Sequence, residues 1–407
     1  MTLIYLDHNA TSPPRPQALE AMGEAQSECF GNPSSQHAAG RKARALLEDC
    51  RDRLARLLEV RATEVVFTSG GTEANRLAIE GAFEGLPVVQ PAHSVVSAME
   101  HPSVLDVHAH LEDRGRVTVS RVLATTDGRV DLSALAAALQ LNTRLVSLQH
   151  ANSETGAVQP IGEVSVLLGS RSRANRGLTP ALLHLDCVQS LGKRAVRPMQ
   201  LGADLLTISS HKIGGPKGAG ALIVRAGSGW LPPTRGGPQE RKMRPGTENL
   251  PAIAGFVRAA ELAIKDPERS PPGHECGGEL GAVLRSLLGA AIDGVAWNGG
   301  PGDLLPNTVN VSFDGVAAEL LVIRLDQEGV AVSMGSACAS GSREPSHVLR
   351  AMGLSEARVV GAVRFSTGWT TRREEVERAA KIVALVVADL RSRSAHVGIS
   401  GSLVPRP

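Results

Sequence analysis

The chain has 407 residues, 42% hydrophobic and only 2% aromatic, and its 43 basic and 41 acidic residues leave a formal charge of +2. That length allows one large α/β domain and a smaller one, with cores that need no metal or crosslink. The near-neutral balance and the scarcity of rings argue against a nucleic-acid surface, base-stacking platforms and a membrane-attracted patch.

The first residues, Met1-Thr2-Leu3-Ile4-Tyr5-Leu6-Asp7, lack a basic region followed by a long apolar stretch, and no apolar run is long enough to span a bilayer. A soluble cytoplasmic protein is expected, without direct nucleic-acid or membrane partners. The five cysteines, Cys29, Cys50, Cys187, Cys276 and Cys338, are odd in number and form no Cys-x-x-Cys pair. This argues against a disulfide framework and a zinc knuckle and leaves room for a working thiol.

Between about residues 60 and 225, short apolar runs alternate with helical patterns. The runs are Val65-Val66-Phe67, Val95-Val96, Leu145 to Leu148, Leu182 to Leu185, Leu205 to Ile208 and Ala221 to Val224. Continuous runs of this kind fit parallel strands buried on both faces, and the intervening helical segments, such as Gly71 to Ala82 and Ser133 to Leu141, give a doubly wound sheet. Ligands should collect at the strand C-terminal ends. The Pro/Gly-rich stretch Pro267 to Gly278 marks a boundary. Beyond it, Thr308 to Phe313 reads as a strand, Ala317 to Glu328 as a helix stopped at Gly329, and Val359 to Phe365 as a strand. Arg372 to Arg391 reads as a long helix with Val376, Ala380, Val383 and Val387 forming its apolar stripe.

The polar motifs fall where the strands end. After Val65-Val66-Phe67 comes Thr68-Ser69-Gly70-Gly71-Thr72-Glu73-Ala74-Asn75. Its glycines bring backbone N–H groups and a threonine hydroxyl to a helix N-terminus, which suits an anion, although an ordinary strand-to-helix turn capped by Thr72 would look the same. His101, in Met99-Glu100-His101-Pro102-Ser103, could stack on an aromatic cofactor and move protons, or could simply cap the helix beginning near Pro102. Asp186 follows a buried run and precedes Gln189 by three residues; it could pair with a protonated pyridine nitrogen, or serve as a turn residue.

Ser209-Ser210-His211-Lys212, ahead of Gly214-Gly215-Pro216-Lys217-Gly218, presents a lysine at a strand end among hydroxyl and imidazole donors. Such a lysine can form a Schiff base with pyridoxal phosphate while its neighbours hold the phosphate, or it can be a solvated surface charge. Cys338 lies in Ser333-Met334-Gly335-Ser336-Ala337-Cys338-Ala339-Ser340-Gly341-Ser342. A run of small residues with no apolar side to bury favours a mobile, reactive thiol over a buried hydrophobe.

Together these segments resemble the NifS/IscS-type cysteine desulfurases, a group within the class V aminotransferase family and the fold-type I pyridoxal phosphate enzymes. The matches run from Tyr5-Leu6-Asp7-His8-Asn9-Ala10-Thr11 and Phe30-Gly31-Asn32-Pro33-Ser34-Ser35, through Met243-Arg244-Pro245-Gly246-Thr247-Glu248-Asn249, to Gly335-Ser336-Ala337-Cys338 and Val363-Arg364-Phe365-Ser366. The resemblance implies a large cofactor domain over residues 14–266 with a mostly parallel sheet. It also implies a smaller α+β domain from residues 1–13 and 267–395 that carries the Cys338 loop, with residues 396–407 as a disordered tail.

By the same resemblance Lys212 is the Schiff-base lysine, Thr72, Ser209 and His211 hold the phosphate, and Gly71 adds a backbone contact. Asp186 pairs with the pyridinium nitrogen, Gln189 bonds the ring hydroxyl and His101 stacks on the ring and accepts a proton. Thr247 reaches the phosphate of a neighbouring subunit in a homodimer. Asn32 and Arg364 hold the carboxylate of L-cysteine, and Cys338 accepts its sulfur as a persulfide, leaving L-alanine. A sulfur-acceptor protein, in iron–sulfur cluster assembly or another thiolation pathway, is the implied partner. Selenocysteine lyase, cysteine sulfinate desulfinase or another class V reaction is the alternative, and a non-catalytic scaffold is the alternative of another class.

The chain departs from the family pattern in three places. Ser153 in Ala151-Asn152-Ser153-Glu154 replaces an asparagine expected near the ring hydroxyl. Gly169 to Thr179 is longer and richer in arginine. The C-terminus lacks the aromatic and acidic tail that IscS-like members use with scaffold proteins.

Overall fold

Buried apolar runs form the centre of the molecule, because a strand covered on both faces needs β-branched or leucine side chains at nearly every position. A computed structural model describes residues 3–86, 91–174, 181–265, 277–335 and 345–396. Strand β1 (Ile4–Tyr5) opens the chain. Strands β2 (Val65–Thr68), β3 (Ala92–Ser97), β4 (Val117–Val122), β5 (Thr143–Gln149), β6 (Leu182–Asp186), β7 (Leu205–Ser209) and β8 (Gly220–Val224) build a seven-stranded sheet in the order β2-β8-β7-β6-β5-β3-β4.

Most neighbours in this sheet are parallel, but β8 runs antiparallel to both β2 and β7. The apolar run Ala221 to Val224 was expected as another parallel strand. Periodicity records burial and not direction, and the few residues between β7 and β8 are too short for a parallel crossover. Strand β4 was not anticipated, because at the sheet edge only its end residues Val117 and Val122 are buried and polar Thr118, Ser120 and Arg121 interrupt any apolar run.

The sheet separates two apolar layers. The helix Gly71–Phe83 packs Ala74, Leu77 and Ala78 on one face against Val66, Val96, Leu205 and Leu222. On the other face Leu47 and Leu54 of the helix Ala38–Leu58, and Phe256 and Val257 of the helix Leu250–Lys265, meet Phe67, Val146, Leu185 and Ile208. Each such leucine or phenylalanine contributes roughly 1.5–3 kcal/mol when fully buried.

The C-terminal part forms a separate cluster. Strands β9 (Val295–Trp297), β10 (Thr308–Phe313), β12 (Ser333–Met334) and β13 (Ala362–Ser366) make an antiparallel sheet in the order β12-β13-β10-β9, and β11 (Val330–Ala331) pairs in parallel with β1. Its core joins Val311, Phe313, Leu321 and Phe365 to Val376, Ala380, Val383 and Val387, the expected stripe of the last helix, Arg373–His396. Ile4 and Leu6 belong to this cluster although they begin the chain. The strand expected over Val359 to Phe365 is split: Glu356–Val360 is a helical turn, Gly361 ends it, and β13 starts at Ala362. Pro267 to Cys276, residues 175–180 and the tail beyond His396 lie outside the described residues.

Candidate active site

The C-terminal ends of β2, β3, β5, β6 and β7 open onto a cavity of about 390 Å³. It is lined by Gly71, Thr72, His101, Ser153, Asp186, Gln189, His211, Lys212 and Arg364. Residues from five strand ends, the first turns of the chain and β13 therefore converge as a doubly wound sheet predicts. Ser209 lies buried at the end of β7, close behind Gly71. Thr247 is exposed and does not line this cavity.

Asn32, expected at the substrate, is not brought to the cavity of its own chain. Its side chain is exposed and its Oδ1 accepts a hydrogen bond from the Ser34 amide at 2.8 Å, closing a local turn. Cys338 lies outside the described residues.

Lys212 stands on the short 3₁₀ turn His211–Ile213 that follows β7, and Gly214 ends that turn at φ 80°, where a glycine fits best. The lysine Nζ donates to the carbonyl oxygens of Asn9 at 2.6 Å and Ala10 at 2.8 Å. His211 meets Thr11 Oγ1 through Nδ1 at 3.1 Å. Burial, with the charges of Lys212 and Lys217 adding to it, pushes His211 down to about 4, so it is a neutral donor or acceptor.

Asp186 is both a turn residue and a site residue. Its Oδ1 accepts from the Val188 amide at 2.9 Å, and Asn75 Nδ2 donates to Oδ2 at 2.8 Å, which fixes the carboxylate plane. His101 is likewise the N-cap of the helix Pro102–Asp113 while it lines the cavity. Its Nδ1 accepts from the Ser103 amide at 3.1 Å, which places the proton of the neutral ring on Nε2.

The turn is open at Gly70, where nothing lies within 4 Å of an added Cβ, and tight at Gly71. A Cβ on Gly71 would lie 2.8 Å from Val188 Cγ2, and the helix that starts there directs its free amides outward. The cap itself is Gly70, not Thr72. Glu73, in the first turn, is drawn aside by Arg244 at 2.7 Å and by the Ser69 amide at 2.5 Å. Arg244 thereby offsets the Glu73 charge beside the turn, and Glu73 does not line the cavity.

Arg364 is buried on β13. Its Nη2 donates to Asp7 Oδ1 at 2.6 Å and its Nη1 to the Ser153 carbonyl at 3.2 Å, while Nε has no partner. A guanidinium lining the cavity suits a carboxylate. Ser153 contributes here through its backbone, because its carbonyl also accepts from Asn9 Nδ2 at 3.1 Å. The substitution of the expected asparagine therefore leaves this backbone role intact.

Several site residues were not singled out from sequence. Asn75 lies one helical turn after Gly71 and orients Asp186. Glu100, adjacent to His101, is fully buried; Oε1 accepts from the Gln149 amide at 2.8 Å and Oε2 has no partner. Burial foremost, with the charge of Asp186 adding, raises its pKa well above the usual carboxylate range, so it is a neutral acid. Glu154 is also raised by burial; Ser346 Oγ donates to it at 2.5 Å, and Gly335 packs against its carboxyl. Lys193 lies four residues beyond Gln189 and donates to it. Cys50 and Cys187 are buried, and burial pushes Cys50 up to about 12, so neither is a ready thiolate.

The donor set fits pyridoxal phosphate. The cavity offers an amine for an aldehyde, a fixed carboxylate for a pyridine nitrogen, a ring for stacking and a side-chain-free helix end for a phosphate.

Comparison with known proteins agrees with this geometry. The profile of the family described as Aminotransferase class-V matches residues 4–379. A cysteine desulfurase of Cereibacter sphaeroides is 42% identical over 401 residues, covering 97% of this chain and 98% of the relative. Among solved structures, a NifS-like protein superposes with a TM-score of 0.86 at 30% identity, covering 96% of this chain and all of the other. SspA in complex with cysteine gives 0.76 at 31% identity, over 89% and 98% of the two chains. With its fold, its convergent site residues and a family match running almost from end to end, the chain belongs to the class V aminotransferases.

Proposed function

We propose that the protein is a pyridoxal-phosphate-dependent cysteine desulfurase that takes sulfur from L-cysteine and releases L-alanine. The observation that carries this reading is one cavity lined by Lys212, by Asp186 with its carboxylate fixed by Asn75, and by Arg364. The likeness to a cysteine desulfurase over nearly the whole length supports the choice of substrate.

When bound, pyridoxal phosphate supplies an electron sink for a bond broken at the substrate α-carbon. Lys212 tethers it and afterwards takes the α-proton on Nζ. Asp186, held by Asn75 and Val188, keeps a proton on the ring nitrogen. Thr72, Ser209, His211 and the Gly71 amide hold the phosphate, and Gln189 and the Ser153 segment attend the ring hydroxyl. Arg364 orients the substrate carboxylate. His101, neutral with its proton on Nε2, stacks on the ring and exchanges a proton with the incoming thiol.

Cys338 accepts the sulfur. Its thiolate forms an S–S bond as the substrate C–S bond breaks, the electron pair stays with carbon, and a proton completes alanine. In the same reading Thr247 and Asn32, exposed on one chain, serve the site of a second copy in a homodimer. Residues 14–266 form the cofactor domain and residues 1–13 with 267–395 the smaller one, supported by their separate apolar clusters. The persulfide passes to an acceptor protein of cluster assembly or another thiolation pathway in the cytoplasm.

The test uses the holoenzyme with ³⁵S-labelled L-cysteine. Label is expected on the peptide containing Cys338, and Cys338→Ala should lose alanine formation. Full turnover of L-cysteine by Cys338→Ala would reject persulfide chemistry and favour a lyase or desulfinase reaction on the same cofactor.

A further inference from the structure

We infer that Trp369 is a positioning residue for Lys212, acting through Arg15 on the turn that carries the lysine. This rests on the reading of Lys212 as the residue that takes the substrate α-proton. Four successive carbonyl oxygens of that turn are bound from one short segment near the start of the chain. The Ser12 amide donates to the His211 carbonyl at 2.9 Å and Ser12 Oγ to the Lys212 carbonyl at 3.3 Å. Arg15 Nε donates to the Ile213 carbonyl at 3.0 Å and the Arg15 amide to the Gly214 carbonyl at 2.7 Å.

Arg15 and Ser12 are in turn each held from residues 368–371, which follow β13. The Arg15 guanidinium lies over the Trp369 ring, 5.0 Å from its centroid, and Trp369 Nε1 donates to the Pro13 carbonyl at 2.9 Å. Gly214 lies against both side chains: a Cβ there would come within 2.9 Å of Arg15 Cγ and of Trp369 Nε1. The second link runs through His8, whose Nδ1 meets Ser12 Oγ at 3.0 Å and whose Nε2 meets the Thr370 and Thr371 hydroxyls at 3.3 Å. Ser12 spends its one hydroxyl proton on the Lys212 carbonyl, so His8 carries its proton on Nδ1 and accepts on Nε2.

Strand β13 also carries Arg364, which lines the cavity with Lys212. Trp369, five residues further on, therefore ties the turn of the base to the strand of the residue that orients the substrate carboxylate. The span between these two groups decides whether the α-proton stands within reach of Nζ, and an error of about 1 Å in such a span can cost ~100-fold in rate. Loss of the ring leaves the His8 link in place, so the turn loosens without detaching.

The test compares Trp369→Leu, which removes the ring, with Trp369→Phe, which keeps a ring beneath Arg15. In cofactor-loaded protein, kcat for alanine formation should fall about tenfold or more in Trp369→Leu, with KM for L-cysteine changed less than about threefold. The isotope effect on kcat with L-cysteine deuterated at the α-carbon should grow, because proton removal becomes slow relative to later steps. Trp369→Phe should recover most of the rate. A second measurement needs neither cofactor nor turnover: amide hydrogen exchange of the cofactor-free protein. Exchange should be at least about threefold faster in Trp369→Leu at Ile213 and Gly215, whose amides donate to the Ser210 carbonyl, while β6 exchanges as in the wild type.

Unchanged exchange at Ile213 and Gly215, exchange raised equally in β6, or a loosened turn with wild-type kcat and isotope effect would each overturn the inference. Should Trp369→Leu not fold, Arg15→Lys, which keeps stem and charge but loses the guanidinium over the ring, decides by the same readouts. Wild-type protein that never develops cofactor absorbance refutes the cofactor reading instead, and the exchange rates still decide whether Trp369 holds the turn.

Discussion

Replacing Glu240 with alanine should be among the most damaging single changes far from the cavity. Glu240 is buried with Arg51, and the two form a bidentate pair at 2.6 and 2.7 Å. The same carboxylate accepts the Phe67 amide of β2 at 2.8 Å. Removing one partner of a buried pair costs about 3–5 kcal/mol, because the buried guanidinium loses its bidentate partner and keeps only the partly exposed Glu48 at 3.2 Å. The orphaned Phe67 amide adds about 1–3 kcal/mol, but both losses come from one carboxylate and do not simply add, so about 4–6 kcal/mol is expected.

Strain raises the stakes. Glu240, Arg241 and Lys242 sit in succession at φ 43°, 57° and 65°, a left-handed run that costs roughly 1–2 kcal/mol per residue without glycine. The buried pair offsets that cost and aims the chain at Arg244, whose guanidinium holds Glu73 beside the glycine turn that opens the helix Gly71–Phe83. Urea unfolding of the cofactor-free protein, followed by circular dichroism, measures the loss. The double variant Arg51→Met/Glu240→Leu, which replaces the pair by apolar groups, should recover more than half of it. A loss below about 1 kcal/mol in Glu240→Ala, or a double variant no more stable than the single one, would refute the reasoning.

Gly71→Ala should lower cofactor retention by about tenfold or more, measured by dialysis and absorbance, because its Cβ must displace Val188. Val188→Ala in the same chain should restore most of it; no recovery would mean that the turn is limited by backbone freedom and not by this contact. The buried histidines predict sensitivity to acid. Burial, with His108 adding, pushes His184 down to about 3, and burial pushes His108 down to about 4. Both are neutral in the fold and titrate near ~6.5 when unfolded, so their contribution is complete above that pH. It falls by about 1.4 kcal/mol per unit and per histidine as pH drops toward the folded values. His184→Asn should therefore show an acid limb shallower by one proton, and an identical slope would exclude His184 from it.

The central strands were legible because burial on both faces writes itself as an unbroken apolar run, as at Leu205 to Ile208. Direction is not written that way, and β8 was misread for this reason. An edge strand such as β4 carries no such run, and the short helical turn before β13 hid inside a β-branched stretch. Lys212, Asp186 and His101 were legible because each follows a strand and has neighbours with matching chemistry. Asn9, Glu154 and Lys193 were not: each acts across long sequence separations, through a carbonyl, a buried acid or a shared amide that composition does not reveal. Asn32 is a motif residue that its own chain keeps on a local turn, away from the cavity.

The opening segment of the chain has a consequence for biogenesis. Ile4 hydrogen-bonds Gly329, Leu6 pairs with Ser366, and the carbonyls of Asn9 and Ala10 hold Lys212. Residues 4–10 therefore dock on residues 329–366, which are synthesised later, after the central sheet has had time to form. A nascent chain arrested before residue 366 would carry a lysine without its anchors, and premature capture of the vitamin-derived aldehyde would be disfavoured until synthesis is complete.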